Sequence, residues 1–219
     1  MALKAVIFDL FGTLTVRTMP EHRIIEKWKL DPKLHPVLVR AICGQKFENW
    51  ESYIDKVVET AGIEASKANK KLVREIIDSR IEIGIKGVFP EAKNVLLNLK
   101  EKGYVLGLVS DCCPHSRKIL EKTGVLGFFK EKAVVLSYEI GMVKWDREIY
   151  NVCLEGLGVK AEATAMVGDS LNSDIEMSKQ ATNGKIHGIL VSDSKPKAGF
   201  ATVSSLAEVP KAVEALGGN

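Results

Sequence analysis

Ala5-Val6-Ile7-Phe8-Asp9-Leu10-Phe11-Gly12-Thr13-Leu14-Thr15 is the stretch whose reading decides the fold. Four apolar residues run straight into an acid, and a glycine and a threonine follow. The run is short and rich in β-formers, which predicts a strand covered on both faces. Asp9 then stands at the carboxyl end of that strand, where open α/β sheets hold their ligands. Gly12 allows a sharp turn, and Thr13 sets a hydroxyl beside the acid. A carboxylate in that place is a nucleophile, a metal ligand or both. The alternative is a plain turn or helix-capping aspartate.

Downstream the pattern changes. Between residues 16 and 87 apolar residues recur at helical spacing, with Phe47, Trp50, Ile54, Val57, Val58 and Ala61 on one face. Leu72, Val73, Ile76, Ile77 and Ile81 form another. Asp31-Pro32 and His35-Pro36 divide the earlier part, Gly62 closes one helix, and Ser66 caps the next. The spacing predicts roughly four helices and no strand, an α-helical cap domain over 16–87 inserted behind the first strand. Gly84 and Gly87 bracket its exit and are expected to form a hinge. From Val88 onward the pattern alternates. Helices are expected over 90–102, 114–122, 146–156, 174–181 and 207–216, and strands over 104–109, 133–136, 164–167, 186–191 and 201–203. Such alternation predicts an α/β fold, a doubly wound, Rossmann-like parallel sheet built from residues 1–15 and 88–219.

Bulk properties narrow the function. A chain of 219 residues carrying a formal net charge of +3 is only mildly basic, and no basic tract with interleaved aromatics occurs, so nucleic acid is not an expected partner. No apolar run approaches the ~18 residues of a membrane helix, and no secretory leader is apparent, so a cytoplasmic protein is expected. The cysteines, Cys43, Cys112, Cys113 and Cys153, form no C-x-x-C pair and are expected to be free thiols.

Four polar groups fall directly after expected strands: Asp9 after the first, Ser110 after the second, Lys144 a short loop beyond the third, and Asp169 after the fourth. In a parallel sheet all strand ends point one way, so these groups converge on one crevice. Met166-Val167-Gly168-Asp169-Ser170-Leu171-Asn172-Ser173-Asp174 sets two carboxylates on one polar turn, a spacing that suits a hard cation such as Mg²⁺. Asp9, Asp169 and Asp174 together would repel one another, and a cation resolves that conflict while also attracting a phosphate. Asp146 is expected simply to cap its helix.

The four groups, in this order, resemble the motifs of the haloacid dehalogenase-like hydrolase superfamily. Asp9-Leu10-Phe11-Gly12-Thr13 resembles its D-x-D-x-[TV] motif, Ser110 the strand-end hydroxyl, Lys144-Trp145-Asp146 the lysine motif, and Gly168-Asp169 with Asp174 the G-D-x-x-x-x-D motif. The insert after the first motif is similar to the superfamily's helical caps. The resemblance implies that Asp9 is nucleophile and metal ligand, with the Phe11 carbonyl and Asp169 as further Mg²⁺ ligands. It implies that Asp174 holds a metal-bound water or orients Lys144, and that Ser110, Lys144, Thr13 and Asp111 serve the substrate.

Phe11 departs from the pattern. Phosphatases of this superfamily carry an aspartate there, which protonates the leaving group and then activates water. An aromatic residue instead resembles the metal-independent 2-haloacid dehalogenase branch, whereas the intact fourth motif resembles the metal-dependent phosphatases. The expected function is therefore a Mg²⁺-dependent phosphatase of a small phosphorylated metabolite, acting through an aspartyl intermediate on Asp9, as a monomer or homodimer. The alternatives are a 2-haloacid dehalogenase, in which Arg17, Arg23 or Arg40 grips the substrate carboxylate, and a degenerate phosphate-binding member. Arg17, Glu21, His22, Arg23 and His115 are the candidates to replace the missing acid.

Overall fold

A computed structural model of the chain describes residues 2–46, 48–193 and 199–218. Strand β1 (Ala5–Phe8) is buried along its whole length. Its even residues, Val6 and Phe8, join one apolar cluster, while Ala5 and Ile7 join another on the opposite face. That two-residue alternation, with both sets apolar, is what a strand sandwiched between two helical layers requires.

Four helices follow: α1 (Pro20–Trp28), α2 (His35–Cys43), α3 (Trp50–Ala61) and α4 (Lys67–Lys86). Ser66 caps α4 by accepting from the Asn69 amide, and Gly62 ends α3 with φ 66°. Ile24, Leu38, Ile42, Tyr53, Val57, Val73 and Ile77 bury one another in a cluster of their own, which Cys113 and Val143 from the sheet side complete. Phe47 lies outside the described residues. Gly84 sits inside α4 and Gly87 follows its last residue; a Cβ on Gly84 would press on Ile119 Cδ1 at 2.6 Å, so the glycine lets the helix approach the neighbouring layer. The Gly84 carbonyl accepts from Thr15 Oγ1 at 2.7 Å.

The remainder alternates as α5 (Ala92–Glu101), β2 (Val105–Ser110), α6 (Arg117–Lys122), β3 (Val134–Leu136), α7 (Ser137–Ile140), α8 (Glu148–Leu157), β4 (Thr164–Gly168), α9 (Met177–Ala181), β5 (His187–Val191), β6 (Ala201–Val203) and α10 (Val209–Gly217). The strands form one parallel sheet in the order β3-β2-β1-β4-β5-β6. The chain winds outward from β1 to β3, then returns to the other side of β1 and winds outward again. The order reverses between β1 and β4, and a sheet of this kind opens its ligand crevice at that point.

The helices expected after Val88 each begin two or three residues later than the sequence reading places them, and two of the starts have a visible cause. Residues 171–176 form a wider π-type turn ahead of α9, because Asp174 reaches back to the Ser170 amide at 2.9 Å. The helix expected at Asp146 begins two residues later, and Asp146 is not its cap. Asp146 Oδ2 instead accepts from the Val143 amide at 3.0 Å, and both its oxygens pair with Arg40 of α2 at 2.9 Å. No helix among the described residues is long and apolar enough to cross a membrane.

Candidate active site

Phe8 of β1 pairs with Val167 of β4, and the Asp9 amide donates to the Val167 carbonyl at 2.9 Å. The loops leaving the two strands therefore start level and side by side. Two glycines let them touch. A Cβ on Gly12, whose φ is +96°, would overlap the Asp169 carboxylate, and one on Gly168 would overlap that of Asp174. Carboxylate oxygens of Asp9, Asp169 and Asp174 come within 4.8 Å of one another.

Lys144 is threaded into this acidic group. Its side chain is 4% exposed, and Nζ donates to Asp9 Oδ1 and, at 2.6 Å, to Asp174 Oδ1. Burial disfavours the ammonium, but the adjoining Asp174 and Asp9 carboxylates outweigh it and hold the Lys144 pKa well above its ordinary value. Burial, with Asp9 adding to it, pushes the Asp169 carboxyl upward. Burial likewise raises Asp174 to about 7 against the pull of Lys144. One ammonium does not balance three carboxylates. Arg17, in the segment joining β1 to α1, adds a second cation through Nε at 2.9 Å from Asp169 Oδ2, and it is half exposed.

The other predicted residues are placed as follows. Thr13 is buried and donates to Asp9 Oδ2 at 3.3 Å, so it touches the acid rather than the open space. Ser110 is fully buried at the end of β2, and its Oγ has no partner among the described residues. Asp111 lines the crevice, but its Oδ1 accepts from the Lys144 amide at 2.9 Å, and burial raises its carboxyl to about 6. Phe11 is almost buried beside Asp9, and the Arg80 guanidinium sits 3.9 Å from its ring centroid.

A cavity of about 300 Å³ opens over these groups. Asp9, Lys144, Asp169 and Asp174 form its floor, and Thr18, Glu21, His35 and Arg80 come from the helical side. The family model of haloacid dehalogenase-like hydrolases matches residues 3–182. The chain belongs to the haloacid dehalogenase-like hydrolases. A glyceraldehyde 3-phosphate phosphatase of Methanothermobacter thermautotrophicus is 30% identical to this hydrolase over 207 residues, covering 90% of this chain and 88% of the relative. A solved HAD phosphatase from Thermococcus onnurineus superposes with a TM-score of 0.61 at 21% identity, covering 95% of this chain and 97% of the other. A 2-haloacid dehalogenase from Pseudomonas syringae pv. Tomato superposes with a TM-score of 0.64, also at 21% identity, covering 97% and 98%. A protein named for each chemistry shares the fold, so the fold alone does not choose the reaction.

Of the cap-side candidates read from sequence, Arg17 and Glu21 line the cavity of this hydrolase. Arg23 donates to Ser79 Oγ, Arg40 pairs with Asp146, and the His115 ring packs on Trp50. Thr18, His35 and Arg80 line the cavity as well, beyond the residues expected from sequence. Arg80 had a legible signal: the buried residues of α4 are Val73, Ile77, Arg80 and Gly84, so a charge occupies the helix's apolar stripe.

Proposed function

We propose that this hydrolase is a Mg²⁺-dependent phosphatase of small phosphate monoesters, with Asp9 as its nucleophile and residues 16–87 as its cap. The observation that carries the reading is the meeting of three carboxylates with Lys144 at the point where the strand order reverses. Oxygen donors in that number suit a hard cation, and burial, with the Asp9 charge adding to it, pushes the Asp169 and Asp174 carboxyls upward, which a bound cation would offset. Asp9, Asp169 and the Phe11 carbonyl would hold the ion, with Asp174 beside it. When bound, the cation neutralises the carboxylates and polarises the phosphoryl group.

The residues of the chain do the rest. An Asp9 carboxylate oxygen attacks phosphorus, the bond to the leaving oxygen breaks, and an aspartyl phosphate forms. Water then attacks the same phosphorus, releasing inorganic phosphate and restoring Asp9. Lys144 keeps a fixed positive charge beside the nucleophile through both steps, and the unpartnered Ser110 hydroxyl is a donor for a phosphoryl oxygen. Phe11 supplies no proton to the leaving oxygen, so turnover should favour acidic leaving groups. The name of the methanogen relative makes glyceraldehyde 3-phosphate the first natural substrate to try.

Phe11 also supports a second reading, displacement of halide from a 2-haloacid by Asp9, which needs no proton. One assay separates the two. The phosphatase reading expects hydrolysis of p-nitrophenyl phosphate that requires Mg²⁺, stops in EDTA and is lost in Asp9→Asn. Halide release from 2-chloropropionate in EDTA, without phosphate release from any ester, overturns it in favour of the second.

A further inference from the structure

Buried side-chain polar atoms without a hydrogen-bond partner are few among the described residues, and three of them belong to residues lining the active-site cavity: Thr18 Oγ1 and Arg80 Nε, which have no ionic partner either, and His35 Nε2, whose nearest counter-group is the Glu21 carboxylate at 3.5 Å. All three come from the segment and helices above the carboxylates. A buried polar atom left unpaired is costly, and a set of them facing one cavity marks where a ligand's polar groups complete the pairing.

Arg80 shows what kind of group is needed. It is 5% exposed, it lies over the Phe11 ring, and its Nη2 donates to the Asp111 carbonyl at 2.9 Å. Its Nη1 lies 3.6 Å from Cys43 Sγ, and Nε is the guanidinium nitrogen without a partner. Glu21, equally buried, lies 3.5 Å from His35 Nε2. Burial raises the Glu21 carboxyl, but the His35 side chain and the Arg80 charge outweigh it and keep it ionised. The Arg80 guanidinium thus shares its cavity wall with an ionised carboxylate, although no hydrogen bond joins the two. That wall has no call for a second anion. It offers a donor in Arg80 Nε, an acceptor in Glu21, and groups of either kind in Thr18 and His35.

We propose that Thr18, Glu21, His35 and Arg80 form a subsite for the hydroxyl and carbonyl oxygens of a short, uncharged tail on the phosphate monoester. The proposal rests on the phosphatase reading and names the substrate class within it. The cavity, about 300 Å³, lies at the small end of ligand sites and suits a phosphoryl group with roughly three or four carbons. An acyl chain, an aromatic ring or a dicarboxylate tail would leave the same polar atoms unpaired or add uncompensated charge.

The test compares glycerol 3-phosphate and glyceraldehyde 3-phosphate with n-propyl phosphate, which has the same carbon count and no tail oxygens. p-Nitrophenyl phosphate reports phosphatase chemistry as such. The wild-type enzyme should prefer the oxygenated esters over propyl phosphate by about tenfold or more in kcat/KM. Glu21→Gln and Arg80→Lys should each lower that ratio about tenfold, chiefly through KM for the oxygenated esters. Thr18→Val, which conserves shape, should lower it as well and serves if Arg80→Lys fails to fold. A wild-type ratio near one, or variants that lose both ester types by the same factor, overturns the subsite while leaving the phosphatase reading in place. Absence of hydrolysis of every ester, p-nitrophenyl phosphate included, overturns that reading and the subsite with it.

Discussion

Replacing Lys144 by methionine keeps the bulk of its stem and removes the one buried cation of the acidic cluster. Lys144 Nζ bonds Asp9 and Asp174, and all three side chains are almost fully buried. Breaking a buried pair from one side costs about 3–5 kcal/mol, because the partner charges stay behind unpaired. For a chain of this size each kcal/mol moves the melting temperature by roughly 2–4 °C, so a fall of roughly 6–20 °C is expected in EDTA. The deficit should depend on pH in one direction. Asp174 already has its folded pKa raised to about 7, so the stability tied to its protonation is full below the unfolded carboxylate value and is lost as pH rises through about 7. Without Lys144 the folded pKa values of Asp169 and Asp174 rise further, and the loss extends to higher pH. The gap between wild type and Lys144→Met should thus widen from about pH 5 to about pH 8. Added Mg²⁺ at about a hundred times its dissociation constant should restore about 2.7 kcal/mol. Differential scanning fluorimetry at both pH values, with EDTA and with Mg²⁺, measures all of this. A gap that closes as pH rises, or one below about 2 °C at the higher pH, would refute the claim that Lys144 offsets the carboxylate charge.

Three further substitutions probe separate contacts. Ser110→Ala removes a buried hydroxyl that has no partner among the described residues; it should leave thermal stability unchanged or slightly raised while lowering kcat about 10²–10³-fold, a split read by paired melting and kinetic measurements. Arg17→Ala takes a cation from Asp169 and should tighten Mg²⁺ binding several-fold in isothermal calorimetry, on the order of 1 kcal/mol because Arg17 is half exposed. Arg40→Ala breaks a solvent-facing pair with Asp146 and should cost under about 1 kcal/mol in urea unfolding, in contrast to Lys144.

These residues also mark the line between what the sequence discloses and what it hides. Asp9 and Asp169 were legible because each ends an apolar run, and the strand-end rule for parallel sheets brings such residues together without any knowledge of contacts. Lys144 was legible from its place a short loop beyond the third strand and from its motif, but a lysine beside Trp145 gives no local sign that it is buried among acids. Asp146 was misread because three residues of sequence look like a helix cap, whereas the group that claims its carboxylate, Arg40, lies 106 positions away. His35 and Thr18 carry no periodic signal, and their roles arise from where α1 and α2 settle over the sheet. Arg80 was the avoidable omission. Its place in the Val73-Ile77-Gly84 stripe is visible in the sequence, and a charge on a buried stripe is expensive unless something uses it.

Phe11 and Arg80 are best understood as one choice rather than two. The Arg80 guanidinium rests 3.9 Å from the Phe11 ring centroid, both side chains largely buried on the cavity wall, where an aromatic face stabilises a cation by about 1–2 kcal/mol. An aspartate at position 11 would meet that guanidinium instead. The buried cation would hold its carboxyl ionised, with a pKa pushed down, and an ionised carboxylate cannot hand a proton to a leaving oxygen. A general acid at position 11 and a cation at position 80 therefore exclude each other in this geometry. The ring offers no proton donor in the loop after β1 and packs against the Arg80 guanidinium on the cavity wall. The same loop is tied to α4, the helix carrying Arg80, by the Thr15 hydroxyl on the Gly84 carbonyl. On this view the substitution at Phe11 leaves the three carboxylates and Lys144 to carry the chemistry and shifts the remaining selectivity to the helices above them.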